Sequence, residues 1–180
     1  MKNRSFIPIN IALLTVSDTR NIEDDKSGEL LQKRILNSGH ILNERKIVKD
    51  EISSIKRVSK KWIENPKIEV IISTGGTGLT GRDVTPEAFK ELFDKEIQGF
   101  GELFRQFSFK KIGTSTIQSR AMAGVANGTY IFILPGSPSA CKDAWDDILV
   151  NQLDYRHQPC NFVEIMPRLL ENNEGRSGKK

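Results

Sequence analysis

The chain has 180 residues, 27 Lys and Arg against 23 Asp and Glu, a formal net charge of +4, and an apolar share of 37%. That length fits one domain with a real core, and a modest charge without long single-sign blocks suits an anionic small-molecule partner and does not call for nucleic acid. No apolar run approaches the roughly 18 residues of a membrane span, and two cysteines and two histidines are too few for a disulfide framework, a His-rich metal site or a His-based triad.

"MKNRSFIPINIALLTVSD" joins a basic start to a short apolar run, but the run breaks into Ser17-Asp18-Thr19-Arg20 without a small-residue cleavage site. Its β-branched composition predicts a buried strand over 9–17, followed by a polar loop. From Ser27 to Asn37, Leu30, Leu31 and Ile35 recur at helical spacing, and Ser38-Gly39 supplies a glycine suited to the left-handed C-cap. Residues 41–48 predict a second strand, Asp50-Glu51 opens a helix to about Glu64, and 68–74 predicts a third strand. Strand, helix, strand, helix, strand is the pattern of a parallel sheet covered by helices.

Thr85 then reads as a helix cap with Pro86 at the first helical position. Phe100, Leu103, Phe104 and Phe107 fall at i, i+3, i+4 and i+7 of an amphipathic helix over 99–109, a stripe suited to core or subunit contact. Asn127-Gly128 between two apolar runs predicts a hairpin, which makes the sheet mixed. "PGSP" closes that hairpin's second strand and opens a last helix, with Ser137 as cap. After about Arg168 the chain turns polar and glycine-containing and reads as a disordered tail over 167–180.

The chemistry concentrates in "STGGTGLTGRDVTP", residues 73–86. Gly76, Gly78 and Gly81 spell G-x-G-x-x-G, but in a dinucleotide fingerprint the motif itself opens the helix and an acid follows about 20 residues later, ending the next strand. Here the helix opens later, at Thr85-Pro86, and Glu96 and Glu102 fall in helical sequence. A Walker loop needs Lys and a hydroxyl where this chain has Arg82 and Asp83. Gly75, Gly76 and Gly78 let backbone N–H groups approach an anion, and a carboxylate beside them suits Mg²⁺ bridging a phosphate. The plainer reading keeps the glycines as a tight turn and Asp83 as a helix cap. Asp50 carries the same double reading: an N-cap for the helix after it, or a second acid on the carboxyl edge of the sheet, where open α/β sheets bind ligands. Ser17-Asp18 and "PGSP", with Pro135, Gly136 and Ser137, belong to that edge too. Asp24-Asp25 reads as a solvated loop and helix start, Cys141 as a packed small residue, and Ser119-Arg120 stays open between phosphate binding and surface.

Taken in order, "LLTVSDTR", "STGGTGLTGRDVTPEAF", "GFGELFRQFSF", "GTSTIQSRAMAGVANGT" and "ILPGSPSACKDAW" resemble the MoaB/MogA family of molybdenum cofactor biosynthesis proteins, the MoaB branch most closely, over residues 6–166. The resemblance implies a single three-layer α/β/α domain with a mostly parallel mixed sheet, assembled as a homotrimer or homohexamer in the cytoplasm, with no membrane or nucleic-acid partner. It implies binding of molybdopterin and transfer of AMP to its phosphate from ATP with Mg²⁺, releasing pyrophosphate. A non-catalytic molybdopterin carrier of the same fold is the alternative. The family's two carboxylates fall on Asp50 and Asp83, as catalytic and metal-holding residues, its glycine loop on Thr74, Gly75, Gly76, Thr77 and Gly78, and its pterin-phosphate serine on Ser108.

Overall fold

A computed structural model describes residues 4–171. Six strands form one sheet: β1 Asn10–Val16, β2 Ile41–Val48, β3 Val70–Thr74, β4 Lys95–Glu96, β5 Met122–Ala126 and β6 Thr129–Leu134. Their order is β2-β1-β3-β6-β5-β4. β1 pairs in parallel with β2 and β3, and β3 with β6, whereas β5 runs antiparallel to both β6 and β4. The mixed sheet thus follows from the Asn127-Gly128 hairpin, whose residues take φ of 45° and 80°, the left-handed pair a tight two-residue turn requires.

The central strands are apolar on both faces because helices cover both. Ile11, Leu13, Val70, Ile72, Phe132 and Leu134 pack against α1 (Lys26–Asn37), α4 (Gln98–Ile112) and the helix α5 (Pro138–Ala144) with its continuation through Trp145 and Leu149. The alternate residues Ala12, Leu14, Val16, Ile71, Ile131 and Ile133 pack with Ile55 and Trp62 of α2 (Ile52–Ile63) and Ala88 and Phe89 of α3 (Thr85–Lys90). This period-2 division gives the three layers. Gly39, at φ 84°, ends α1 in the expected left-handed conformation. On α4, Phe100 and Phe104 are buried while Leu103, Phe109 and Ile112 are exposed.

Several details depart from the sequence reading. The two-residue strand β4 has no counterpart there, nor has the π-type turn at Trp145–Leu149 that carries α5 onward. The position before α3 belongs to Val84, and Thr85 begins the helix without its side chain capping it. Asp25 is no solvated loop residue. It is 1% exposed, caps α1 through the Gly28 N–H at 2.9 Å, and takes bonds from the Thr15 hydroxyl at 2.7 Å and Arg45 at 2.9 Å. Of the segment read as a disordered tail, Pro167 and Arg168 belong to a 3₁₀ turn, Met166–Arg168, and Leu170 lies over Gly128. Residues 172–180 lie outside the described residues.

Candidate functional site

β1 leads outward to β2 and β3 starts the other side of the sheet, so a crevice opens beyond the carboxyl ends of these strands. A cavity of about 500 Å³ lies there. Its walls come from four strand ends: Thr15 to Arg20 after β1, Asp50 after β2, Thr74 to Gly76 after β3, and Gly136 and Ser137 after β6, with Arg82 reaching in from the glycine loop.

Glycine is obligatory at the two positions that begin the loop. Gly75 has φ 98°, and a Cβ there would lie 2.2 Å from the Val16 carbonyl oxygen. Gly76 has φ 62°, and its Cβ would lie 2.2 Å from the Thr85 hydroxyl and 2.7 Å from Asp50 Oδ1. Two successive left-handed residues turn the chain back across the sheet edge. The Gly75 N–H donates to Leu134 O at 3.2 Å and the Thr85 N–H to Gly76 O at 3.0 Å, so the turn is tied to β6 and α3. The Thr74 hydroxyl donates to Pro135 O at 2.9 Å and touches Cys141 Sγ at 3.1 Å. Cys141, buried here, is pushed up to about 11 by desolvation, and it packs as the sequence suggests. The Ser27 hydroxyl donates to Gly136 O at 2.7 Å.

Asp50 does not cap α2. Glu51 holds the cap position without a side-chain bond, and Asp50 Oδ1 instead accepts the Val84 N–H at 3.2 Å. Partial burial pushes the Asp50 carboxyl up, the Val84 bond opposes it, and the negative charges of Asp83 and Asp18 push further up. A half-buried acid among like charges in a cleft is a feature of functional sites. Asp83 is turned differently. Its Oδ2 accepts the Thr80 hydroxyl at 2.6 Å and the Thr80 N–H at 3.0 Å. These bonds, the hydroxyl first, and the Gly78 N–H hold its pKa down. It lines an adjoining groove with Thr80, Val84, Glu87 and Arg120 rather than the main cavity.

The cavity therefore brings together Ser17, Asp50, Thr74, Gly75, Gly76, Gly136 and Ser137. Thr77, Gly78, Asp83 and Pro135 do not line it. Ser108 is buried on α4 with Phe100 and Phe104 and does not line the cavity. Sequence reasoning placed Asp18 on this edge without a specific role; it lines the cavity, accepts the Asp50 N–H at 3.1 Å and pairs with Arg82. The same reasoning left Arg120 open, and the fold gives that residue a definite place. Arg120 donates to Thr77 O at 3.2 Å and Asp83 O at 2.7 Å and pairs with Glu87, clamping both ends of the glycine loop. An Arg just ahead of a predicted strand was the only signal. The Thr85 hydroxyl, fully buried, has no hydrogen-bond partner among the described residues.

Such a geometry defines an α/β domain of the doubly wound type, with a left-handed glycine turn and an acidic group at its switch point; the Gly75 and Gly78 N–H groups are engaged by Leu134 O and Asp83. The family described as "probable molybdopterin binding domain" matches residues 12–155, and the chain belongs to that family. It is 52% identical to molybdenum cofactor biosynthesis protein B of Escherichia coli K12 over 157 residues, 87% of this chain and 92% of the relative. It is 45% identical to the protein of that name from Staphylococcus epidermidis, covering 82% and 86%. A crystal structure of molybdenum cofactor biosynthesis protein B superposes with a TM-score of 0.81 at 39% identity, covering 83% of this chain and 94% of that one. The tungsten cofactor synthesizing protein MoaB from Pyrococcus furiosus superposes at 0.67 with 34% identity, covering 79% and 91%.

Proposed function

We propose that this chain acts in molybdenum cofactor biosynthesis and transfers AMP from ATP to the phosphate of molybdopterin, releasing pyrophosphate. The observation that carries the reading is the placement of Asp50 against the Gly75-Gly76 turn, inside a cavity at the sheet's switch point. An oxygen of the pterin phosphate attacks the α-phosphorus of ATP, and the bond from that phosphorus to the pyrophosphate oxygen breaks. The attacking phosphate is already ionised at neutral pH, so no side chain need act as base. The chain's work is to hold two anions in line in a fixed polar setting.

The residues that would hold Mg²⁺ are Asp50 and Asp83. Asp50 fits it, a partly buried carboxylate pressed by Asp83 and Asp18 whose charge a hard cation would relieve; Asp83 would join it only on leaving the Thr80 bonds that turn it out of the cavity. Among the described residues no cluster of three or more His, Cys, Asp or Glu forms a protein cage, and Mg²⁺ commonly takes one or two carboxylates with phosphates and waters completing its shell. When bound, it supplies charge neutralisation between the two reactants.

Incubating the protein with molybdopterin and Mg-ATP, while following pyrophosphate and the adenylylated pterin by mass, tests the reading. Product that disappears in Asp50→Asn and Asp83→Asn supports transfer. Tight pterin binding with no product supports the carrier instead, a reading favoured by the Asp83 carboxylate being turned toward Thr80 and away from the cavity. Ser108→Ala tests the pterin-phosphate serine, and unchanged pterin affinity removes it from the site. The same reading makes the protein a cytoplasmic homotrimer or homohexamer, and exposed Leu103, Phe109 and Ile112 on α4 support a subunit contact. Among the described residues no helix is long and apolar enough to cross a membrane.

A further inference from the structure

Among the described residues two cations line the cavity, Arg20 and Arg82. Arg82 stands on the glycine loop with its side chain 78% exposed, and its guanidinium donates to Asp18 Oδ2 across the mouth. The other oxygen of the same carboxylate, Oδ1, accepts the Asp50 N–H at 3.1 Å. One side chain thus does two separable things. The bond to the Asp50 N–H needs only an acceptor and fixes the loop after β2. The bond to Arg82 is an ion pair in solvent, a class of interaction that is weak and easily exchanged.

Two carboxylates act on the guanidinium, Asp18, which binds it, and Asp50, whose carboxyl feels its charge, while Asp25, also on the cavity wall, is paired with Arg45. A polyphosphate entering the cavity meets both as repulsion, and meets Arg82 already engaged. It also offers the guanidinium a better partner than a lone carboxylate does, because it brings more charge and can accept in bidentate fashion. We propose that Arg82 is an anion-binding residue of this cavity, held in reserve by Asp18, and that the polyphosphate of the substrate takes the guanidinium from Asp18 as it enters. The ligand class is a di- or triphosphate; its identity as ATP rests on the function proposed above. Asp18 therefore opposes anion binding while belonging to the site, and its charge sets how tightly a phosphate chain is held before any other ligand arrives.

The Asp18→Asn variant separates the two jobs, since the amide oxygen still accepts the Asp50 N–H while the charge on Arg82's partner is gone. Calorimetric titration of the full chain with inorganic pyrophosphate, in low-salt magnesium-free buffer, reads the exchange directly. Asp18→Asn is expected to bind about fivefold tighter than the parent, within the range an exposed ion pair allows. Arg82→Gln is expected to bind about tenfold weaker, as loss of a charge-assisted contact implies. In the Arg82→Gln background Asp18→Asn should tighten binding by less than it does in the parent, because only the direct repulsion of the Asp18 charge is then removed and no guanidinium is released. Equal or weaker binding in Asp18→Asn overturns the proposal, as does an unaffected Arg82→Gln or a parent and Asp18→Asn that both fail to bind pyrophosphate. These outcomes are distinct from those of the transfer assay. Adenylyl transfer with no change in Asp18→Asn removes the exchange and leaves the reaction. The expected shifts with no transfer remove the reaction and leave a phosphate site governed by Asp18.

Discussion

The two ends of the same sheet are built on different terms. At the amino end, polar groups satisfy each other: Glu69 Oε2 accepts the Asn10 N–H at 2.8 Å and the Asn10 side chain at 2.9 Å, while buried His40 accepts the Ile9 N–H through Nδ1 at 3.3 Å. At the carboxyl end, the buried Thr85 hydroxyl, without a hydrogen-bond partner among the described residues, and a half-buried acid beside other acids sit together. Left-handed backbone occurs at both ends, in the Asn127-Gly128 turn and in Gly75-Gly76, so the difference lies in charge and unmatched polarity. Strain and unmatched polarity persist only where the surrounding structure enforces them, and they gather at functional sites.

Substitutions at the two ends should separate their roles. The largest effect is expected from Gly75→Ala, whose Cβ would meet the Val16 carbonyl oxygen at 2.2 Å on a backbone at φ 98°. Overpacking and strain together should remove about 2–5 kcal/mol from the free energy of unfolding in urea. A loss under about 1 kcal/mol would mean the turn is far softer than its geometry indicates.

Asp50→Asn should divide activity from stability. Adenylyl transfer should fall about 10²- to 10³-fold, the scale of losing one preorganised charge-stabilising group, while the fold holds. The pH dependence gives its own check. The Asp50 pKa in the fold lies above its ordinary 3.8, so the folded state binds the proton more tightly than the unfolded chain does. Ionising the group therefore costs stability as the pH rises past 3.8 and through the folded value. Relative to the parent, Asp50→Asn should gain stability at neutral pH and gain none at low pH. A variant less stable than the parent at pH 7 would contradict the idea of a strained carboxylate.

The amino end should respond the opposite way. Glu69→Ala leaves the Asn10 N–H and side chain without their acceptor and should cost about 1–2 kcal/mol of stability, with turnover unchanged. Smaller still is the ion pair that joins α1 to the helical segment after α5. Arg34 and Lys142 hold Asp146 down from 3.8 to about 2, Arg34 first. That contribution is present above pH 3.8 and lost as the pH falls toward 2. With the Asp146 side chain 36% exposed, Asp146→Asn should cost less than about 1 kcal/mol at pH 7, with the cost fading as the pH falls through the folded value.

The difference between the two ends also explains what could be read in advance. Elements set by local pattern were legible: β2 spans the 41–48 expected of it, Gly39 ends α1 in the left-handed conformation, and Asn127-Gly128 makes the turn its residue types favour. Much of the site was legible for the same reason, since strand ends in a parallel sheet share an edge, which brings Ser17, Asp50 and the glycines together. Features decided by distant partners were not. β4 exists because Lys95 and Glu96 pair with Val125 and Gly124, and Asp25 is buried because Thr15 and Arg45 reach it from two strands. The Arg120 clamp joins residues about 40 positions apart, a separation no local pattern records. Ser108 shows the converse, for a serine matched by motif alone lies on the packed face of α4.

The contrast between the two cysteines has a practical side. Cys141 is sealed behind the strand ends, its thiol donating to Pro135 O at 3.3 Å and kept protonated by burial, while Cys160 lies on the surface. Thiol reagents act on the accessible thiolate, so an alkylating fluorophore should attach at one position and leave the other untouched. The native chain thus carries a single labelling handle outside the cavity, ready for following ligand arrival by anisotropy or energy transfer without engineering a cysteine away.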